Sequence, residues 1–508
     1  MAEVRAVSAA STPGRARLRR LALVLALGTA LLGAALTADP PKLAWSDEII
    51  YALVGRHIAD GHGNVSSVTH PLSLAARGYP HPDVHLPGHM YLIAAAYKLL
   101  GVSEAAALAP SLFGYLGCGL VLYLCGGRHF AGSTGALAAI LFFVFPPNLS
   151  YANSAMAEST LQLASGAYLA VWLEAITRPH RFWLLCLGTL LGLGTFHRET
   201  FLVFVPSALW ALRAWPAGSR VRAAAWLLTP FLLLLGGLVA PAYLAKAPFP
   251  HDLSQIARAG WPERVDLIRA RAIDNLRAAQ FFGAGAWQWC TTAELGLIVV
   301  AIILFCRWRG AGRSVAGLAL FASLGTWLPL VPVHRMPPWM VVRMLMMGSV
   351  PLVLVVALGL ARIERPWLRR VAIAATLAGL ALTTARSFIE LREDRADLFK
   401  DGGRYAAYLI QNTAQRNPRL VFAPKAYRYA WDAYPVVVIP WSATGLKMQM
   451  VAARHGPVDV FVVRRPGKAA FRAAMRRGDF GAKYRVVGEP YLGFNFVFVR
   501  DGTLHPAE

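Results

Sequence analysis

The sequence predicts an α-helical polytopic membrane protein, of about eleven transmembrane helices, with a small C-terminal α/β domain outside the cytoplasm. Composition is the first reason. Of 508 residues, 56% are hydrophobic and only 15% charged, too apolar for one water-soluble domain and long enough for many crossings. The second is the set of uncharged stretches, such as 21–38, 105–127, 223–245, 314–333 and 344–361, which approach or exceed the length that covers the hydrocarbon core. The third is where the charge sits. A net charge of +24 would suggest a nucleic-acid partner in a soluble protein, yet the basic residues collect in alternate short loops. These are Arg15, Arg17, Arg19 and Arg20; Arg178 and Arg181; Arg213, Arg220 and Arg222; Arg307, Arg309 and Arg313; and Arg362, Arg365, Arg369 and Arg370. Such clusters mark cytoplasmic loops next to anionic lipid, so the charge reports topology and no nucleic acid is expected.

Residues 1–20 form a basic cytoplasmic N-terminus whose first 14 residues carry no folding signal. A basic stretch before the apolar run Leu21–Ala38 resembles a signal sequence; the run is longer than a usual signal core, and we expect an uncleaved first span. Residues 21–386 are the transmembrane domain, with exoplasmic loops 39–104 and 246–294. Inside the second loop, Leu253–Phe282 mixes Ile256, Val265, Leu267, Ile268, Ile273 and Leu276 with arginines, as a helix in the membrane interface does. Two short apolar pieces, 182–196 and 200–212, flank His197, Arg198 and Glu199; they are hinged spans, or they meet in an outward-facing cavity. An odd number of spans from an N-terminus inside puts residues 387–508 outside the inner (plasma) membrane. There the composition turns to that of soluble protein, with a helix expected over 402–413 and strands over 420–423, 436–440, 459–463 and 494–500. The five cysteines show no disulfide or zinc spacing.

Four places can carry chemistry. Trp45-Ser46-Asp47-Glu48-Ile49-Ile50-Tyr51 lies where the first span emerges. A carboxylate there can act as a general base toward a hydroxyl, or the pair simply anchors the loop in water. His81, His85 and His89 are spaced by four, which on one helix would align them for a divalent metal. Pro82 and Pro87 argue against a continuous helix, so a stiffened loop whose histidines line a site is favoured. Glu158 opens an apolar helix, where a carboxylate suits the helix dipole or faces a functional cavity. Arg198, Lys246, Arg335 and Arg343 are cations of the same face, and a guanidinium fork matches phosphate. For Arg343 the plain alternative is snorkelling to the interface; for His197 and Glu199 it is pairing with Arg198.

In this order, the pieces resemble the GT-C superfamily of membrane glycosyltransferases, in the branch of protein O-mannosyltransferases, aminoarabinose lipid A transferases and rhizobial galacturonosyltransferases. Asp47-Glu48 with Tyr51, Ala52 and Gly61 is similar to the family's first-loop acidic motif, and His85-Leu86-Pro87-Gly88 to its histidine-proline segment. Glu158 stands where many members have aspartate, and Met344 follows Arg343 where tyrosine is usual. The resemblance covers roughly residues 45–360 and implies an inverting transfer of a sugar from a polyprenyl-phosphate donor to a lipid, glycan or protein acceptor at the outer face. It implies catalytic roles for Asp47, Glu48 and Glu158, donor-phosphate binding by Arg198, Arg343 and Lys246, and positioning of acceptor or loop by Tyr51, His85 and His89. No cofactor is required by this scheme; a metal at His81, His85 and His89 is the variant to test. Buried charges among many spans also describe an ion-coupled secondary transporter, although the acidic pair sits in a loop and no repeat is visible. An envelope polysaccharide ligase or polymerase, or a scaffold recruiting partners through its tail, are the other readings.

Overall fold

The computed structural model describes residues 14–40, 42–68, 85–130, 132–245, 260–263, 286–308, 310–327, 338–413, 418–423, 425–439, 458–464, 483–491 and 495–500, with a few more inside 265–270 and at 472–473. Along the chain run α1 (Gly14–Ala38), α2 (Ser46–Ala59), α3 (Gly88–Leu100), α4 (Glu104–His129), α5 (Gly132–Phe143), α6 (Pro146–Ala152), α7 (Glu158–Thr177) and α8 (Arg181–His197). They are followed by α9 (Val205–Ala211), α10 (Arg220–Leu234), α11 (Ala240–Ala245), α12 (Ala286–Arg307), α13 (Gly310–Trp327), α14 (Pro338–Ala361) and α15 (Pro366–Thr413). The remainder is β1 (Leu420–Phe422), α16 (Tyr427–Asp432), β2 (Val437–Ile439), β3 (Val460–Arg464), β4 (Tyr484–Tyr491) and β5 (Asn495–Arg500).

The chain is a helical membrane protein with a small C-terminal sheet. Among the described residues four helices are long and apolar enough to cross a bilayer: Ala16–Ala38, Glu104–His129, Ala217–Ala242 and Pro366–Thr413. A fifth crossing is available from a bent pair, Ser133–Phe143 with Pro146–Ala152. The expected interfacial helix over Leu253–Phe282 falls mostly outside the described residues. Contacts divide the chain into two units. One contains 1–41, 108–244 and 251–392; the other contains 42–107, 245–250 and 393–508.

In the first unit, apolar helices pack around Tyr115, Phe142, Phe143, Tyr168, Trp172 and Phe201, all fully buried. The bent pair turns by 65° because Pro146 and Pro147 cannot continue the α5 hydrogen-bond ladder. The break costs three consecutive carbonyls their α-helical bonds, and each has a side-chain donor. Asn148 Nδ2 donates to Phe142 O at 2.9 Å, Tyr115 OH to Phe143 O at 2.8 Å, and Thr384 Oγ1 to Val144 O at 2.5 Å. In hydrocarbon no water could take their place. Gly114 lets α4 touch the first turn of α7: a Cβ there would lie 2.6 Å from the Ser159 backbone, the close approach that small residues permit in membranes.

In the second unit the sheet order is β2-β1-β3-β5-β4. The first three strands are parallel, and β5 runs antiparallel to β3 and β4. The expected strands match β1, β2, β3 and β5; β4 and α16 have no counterpart in the sequence reading. The helix expected over 402–413 is the end of the 48-residue α15, since nothing between Pro366 and Thr413 breaks it. The segment after α2 joins the sheet through a parallel bridge between Val68 and Val438, with Val438 N–H donating to Ser67 O at 2.7 Å. Beneath this bridge His57, 3% exposed, places Nε2 2.5 Å from Ser67 Oγ and Nδ1 3.2 Å from Tyr434 OH, which donates to Asp60 at 2.9 Å. That chain suits a neutral imidazole with its proton on Nδ1. Arg56 lies 3.9 Å from the Tyr434 ring centroid, a cation–π contact on the same tyrosine.

Two expectations follow from these packings. Gly114→Ala should cost folded, monodisperse protein in detergent, read by size exclusion and thermal unfolding, whereas Gly379→Ala, whose Cβ meets nothing within 4 Å, should be neutral. Burial, helped by His62 and Arg56 and opposed by Asp60, lowers the His57 pKa from 6.5 to about 4. Between those values the unfolded chain binds a proton that the folded chain does not, so this contribution is complete above pH 6.5 and falls as pH drops toward 4. Thermal midpoints at pH 7.5 and pH 5 should therefore separate more in the wild type than in His57→Gln.

Candidate active site

Asp47 and Glu48 occupy the first turn of α2, in the unit that also holds 393–508. Trp45 is extended (φ −83°, ψ 149°). Glu48 folds back over this entry, its Oε2 accepting the Ala44 and Trp45 N–H groups at 3.0 and 2.9 Å, a capping arrangement that satisfies otherwise open donors. Its Oε1 accepts from Arg395 Nη1 at 2.8 Å, and the carboxylate is fully buried. Asp47, one residue earlier and about 100° around the helix, is only half-buried. The adjacent carboxylates are thus divided: Glu48 holds the helix entry, and Asp47 keeps access to solvent. The Tyr427 phenol, at the start of α16, is pushed above its ordinary value by burial and then by the Asp47 charge. α16 packs on α2.

Tyr51, one turn beyond Asp47, is 4% exposed. It meets His85 edge-on at 5.1 Å between ring centroids and His89 at 5.7 Å. The two histidines therefore flank an aromatic ring. Among the described residues no group of three or more His, Cys, Asp or Glu side chains could hold a metal ion; His81, like Lys246 and Arg335, lies outside them.

In the other unit, Glu158 stands at the start of α7 and is 1% exposed. Its Oε1 accepts from Arg198 Nη1 and from Arg343 Nε, both at 2.6 Å. Arg198 sits in the extended break after α8 (φ −159°, ψ 132°), and Arg343 on α14. One carboxylate oxygen thus gathers two guanidiniums, groups whose planar forks match an anion of the phosphate type. Glu158 Oε2 is buried with no hydrogen-bond partner among the described residues. Arg343 is 4% exposed, so it is a buried pairing residue and does not snorkel. Arg198 pairs with Glu158, while His197 Nε2 lies 2.7 Å from Thr160 Oγ1 and 3.3 Å from Ala157 O. Below this centre Gln162 Nε2 donates to Asn148 Oδ1 at 2.6 Å and to Ser349 Oγ at 3.0 Å, a buried polar seam joining α6, α7 and α14.

The structure thus brings Glu158, Arg198 and Arg343 together in one unit, and Asp47, Glu48, Tyr51, His85 and His89 into the other. Sequence reasoning missed Arg395 and Tyr427. Arg395 lies in the charged run Arg392-Glu393-Asp394-Arg395, and its one distinguishing signal is spacing: Ser387, Leu391 and Arg395 follow each other by four on α15, and all three are buried.

Helices broken over polar centres, an acidic first-loop helix and a mixed sheet at the C-terminus define the class, a membrane protein with the fold of the GT-C glycosyltransferases. A profile of the family described as "Dolichyl-phosphate-mannose-protein mannosyltransferase" matches residues 80–245. Among solved structures, ArnT from Cupriavidus metallidurans in the apo state is 12% identical with a TM-score of 0.58, over 96% of this chain and 99% of that one. The same protein bound to undecaprenyl phosphate is 13% identical with a TM-score of 0.57, over 96% and 99%. The oligosaccharyltransferase of Archaeoglobus fulgidus tethered with an acceptor peptide is 12% identical with a TM-score of 0.51, over 95% of this chain and 74% of that one. No curated protein sequence matches the chain.

Removing one partner of a buried ion pair strands the others, at a cost of about 3–5 kcal/mol. Glu158→Gln should therefore lower the thermal midpoint markedly. The double variant Glu158→Gln/Arg343→Met, which removes one charge of each sign, should recover part of the loss.

Proposed function

We propose that the protein is an inverting glycosyltransferase that moves a sugar from a polyprenyl-phosphate donor to a hydroxyl of a lipid, glycan or protein acceptor at the outer face of the inner membrane. The observation that carries this reading is the convergence of Arg198 and Arg343 on Glu158 within a GT-C fold. ArnT, of the same fold, binds undecaprenyl phosphate. Asp47 takes the proton of the acceptor hydroxyl as its oxygen attacks the anomeric carbon. The bond from that carbon to the phosphate oxygen breaks with inversion, and Arg198 and Arg343 offset the charge gathering on the departing lipid phosphate. Lys246 adds a third cation. Glu48 and Glu158 hold the base-bearing helix and the guanidiniums, and Tyr51, His85 and His89 position the loop against the acceptor. The roles require no metal. In this reading the N-terminus is cytoplasmic and 387–508 lie outside.

The test is transfer of labelled sugar from a panel of hexosyl and pentosyl polyprenyl phosphates in membranes carrying wild type or Asp47→Asn at matched expression. Loss of a general base should lower turnover about 10²–10⁴-fold. Transfer that survives Asp47→Asn intact would remove Asp47 from the chemistry; silence with every donor, acceptors being supplied, would favour transport.

A further inference from the structure

The segment that leads into α2 has its polar backbone groups caught one after another. Leu43 N–H donates to Glu104 Oε2 at 2.6 Å, and the N–H groups of Ala44 and Trp45 donate to Glu48 Oε2. The Lys42 carbonyl accepts from Arg395 Nη2 at 3.0 Å. The same guanidinium donates through Nη1 to Glu48 Oε1 at 2.8 Å and lies over the Trp45 ring, 4.6 Å from its centroid. One planar group therefore grips the helix entry at a carbonyl, a carboxylate and an aromatic face. Only a guanidinium can make all three contacts at once; an ammonium is a single point of charge.

We infer that Arg395 is the positioning residue of the acidic motif, a cation from the C-terminal segment that fixes the bearing of Asp47 through Glu48. Its side chain is 3% exposed and that of its partner Glu48 is 0% exposed. Without it a buried carboxylate loses its counter-charge, and the turn that Glu48 organises loses its anchor. Asp47 lies between Trp45 and Glu48 in that turn, so its carboxylate moves with them. Arg395 rides on the unbroken α15, which gives the grip a stiff base. The segment after 392 thereby acts as part of the acidic motif. The assignment of Asp47 as the positioned base rests on the glycosyltransferase reading; the grip on residues 42–48 does not.

The test compares Arg395→Met, Arg395→Lys, Glu48→Gln and the double variant Glu48→Gln/Arg395→Met in the full chain in nanodiscs, by two measurements. Hydrogen exchange of the peptide 42–51 reads the turn. Labelled-sugar transfer reads kcat and the donor KM. Arg395→Met should speed exchange at Ala44 and Trp45 about tenfold or more. A small misplacement of the base should cost about 10² in kcat, with donor KM changed less than about threefold. Arg395→Lys should fall between, and the double variant should be no worse than the poorer single one, because both act through one contact. Exchange and kcat within about threefold of wild type in Arg395→Met, or singles whose effects multiply in the double variant, would overturn the inference. If Arg395→Met does not fold, Arg395→Lys is judged by the same two readings. If the wild type transfers no sugar from any donor, the glycosyltransferase reading fails and exchange alone decides: faster exchange keeps Arg395 as the positioning residue of the motif, and unchanged exchange removes it.

Discussion

A carboxylate buried among membrane helices is tolerable only where its charge is met at close range, and Glu158 imposes that condition on the whole helical unit. An uncompensated ion there costs several kcal/mol. Its Oε1 is shared by Arg198, 40 residues away, and Arg343, 185 residues away. The start of α7, the end of α8 and the first turns of α14 must therefore meet at one oxygen. Other features accommodate that meeting. Gly114 admits α4 against the turn that follows Glu158. Arg198 leaves helical geometry at the residue whose side chain has to reach across, while its N–H still bonds Gly194 O at 2.8 Å, so the break leaves no orphan donor there.

The same accounting explains why the helices around this centre are broken and yet stable. Irregular backbone survives at membrane depth only when protein groups replace the lost ladder. At the α5–α6 break three successive carbonyls are met by Asn148, Tyr115 and Thr384, from three different helices. Asn148 then joins Gln162 and Ser349. Each repair introduces a polar side chain that itself needs a partner, so the polar seam spreads from Asn148 through Gln162 Nε2 to Ser349. That is why Ser, Asn and Gln gather on α6 and α7 although both are buried.

Local features were legible in the sequence, and long-range pairing was not. Apolar length and basic loops mark a membrane protein because lipid allows few alternatives. β1, β2, β3 and β5 are legible because each is a short, almost continuous apolar run set off by charged, polar or proline residues. β4 escapes because Gly488 and Pro490 interrupt its pattern, and the structure shows the matching register shifts around Gly488. The helix over 402–413 looks separate in sequence because charge rises sharply after Ser387, yet charge marks where a helix enters water, not where it ends. Glu158 and Arg343 are conspicuous as charges in apolar surroundings. Arg395 is not, because its neighbours Arg392, Glu393 and Asp394 are exposed charges and its partner Glu48 lies 347 residues away.

Each unit repeats one device. A glutamate is buried against arginine from a distant part of the chain, and a chemically similar group beside it keeps contact with solvent. In one unit Glu48 is sealed by Arg395 while Asp47 is half-buried. In the other, Arg343 is 3% exposed at its side chain and Arg198 is 17% exposed, on the same Glu158 oxygen. The sealed member supplies rigidity, since a dry ion pair can neither exchange partners with water nor drift without cost. The open member inherits a fixed bearing and stays partly exposed. A reacting group needs both properties, and one side chain rarely has both, because the burial that immobilises a charge also removes it from its reactant. By the same division Arg198 is the more open guanidinium on the Glu158 oxygen, and Arg343 is the sealed one that holds Glu158 in place.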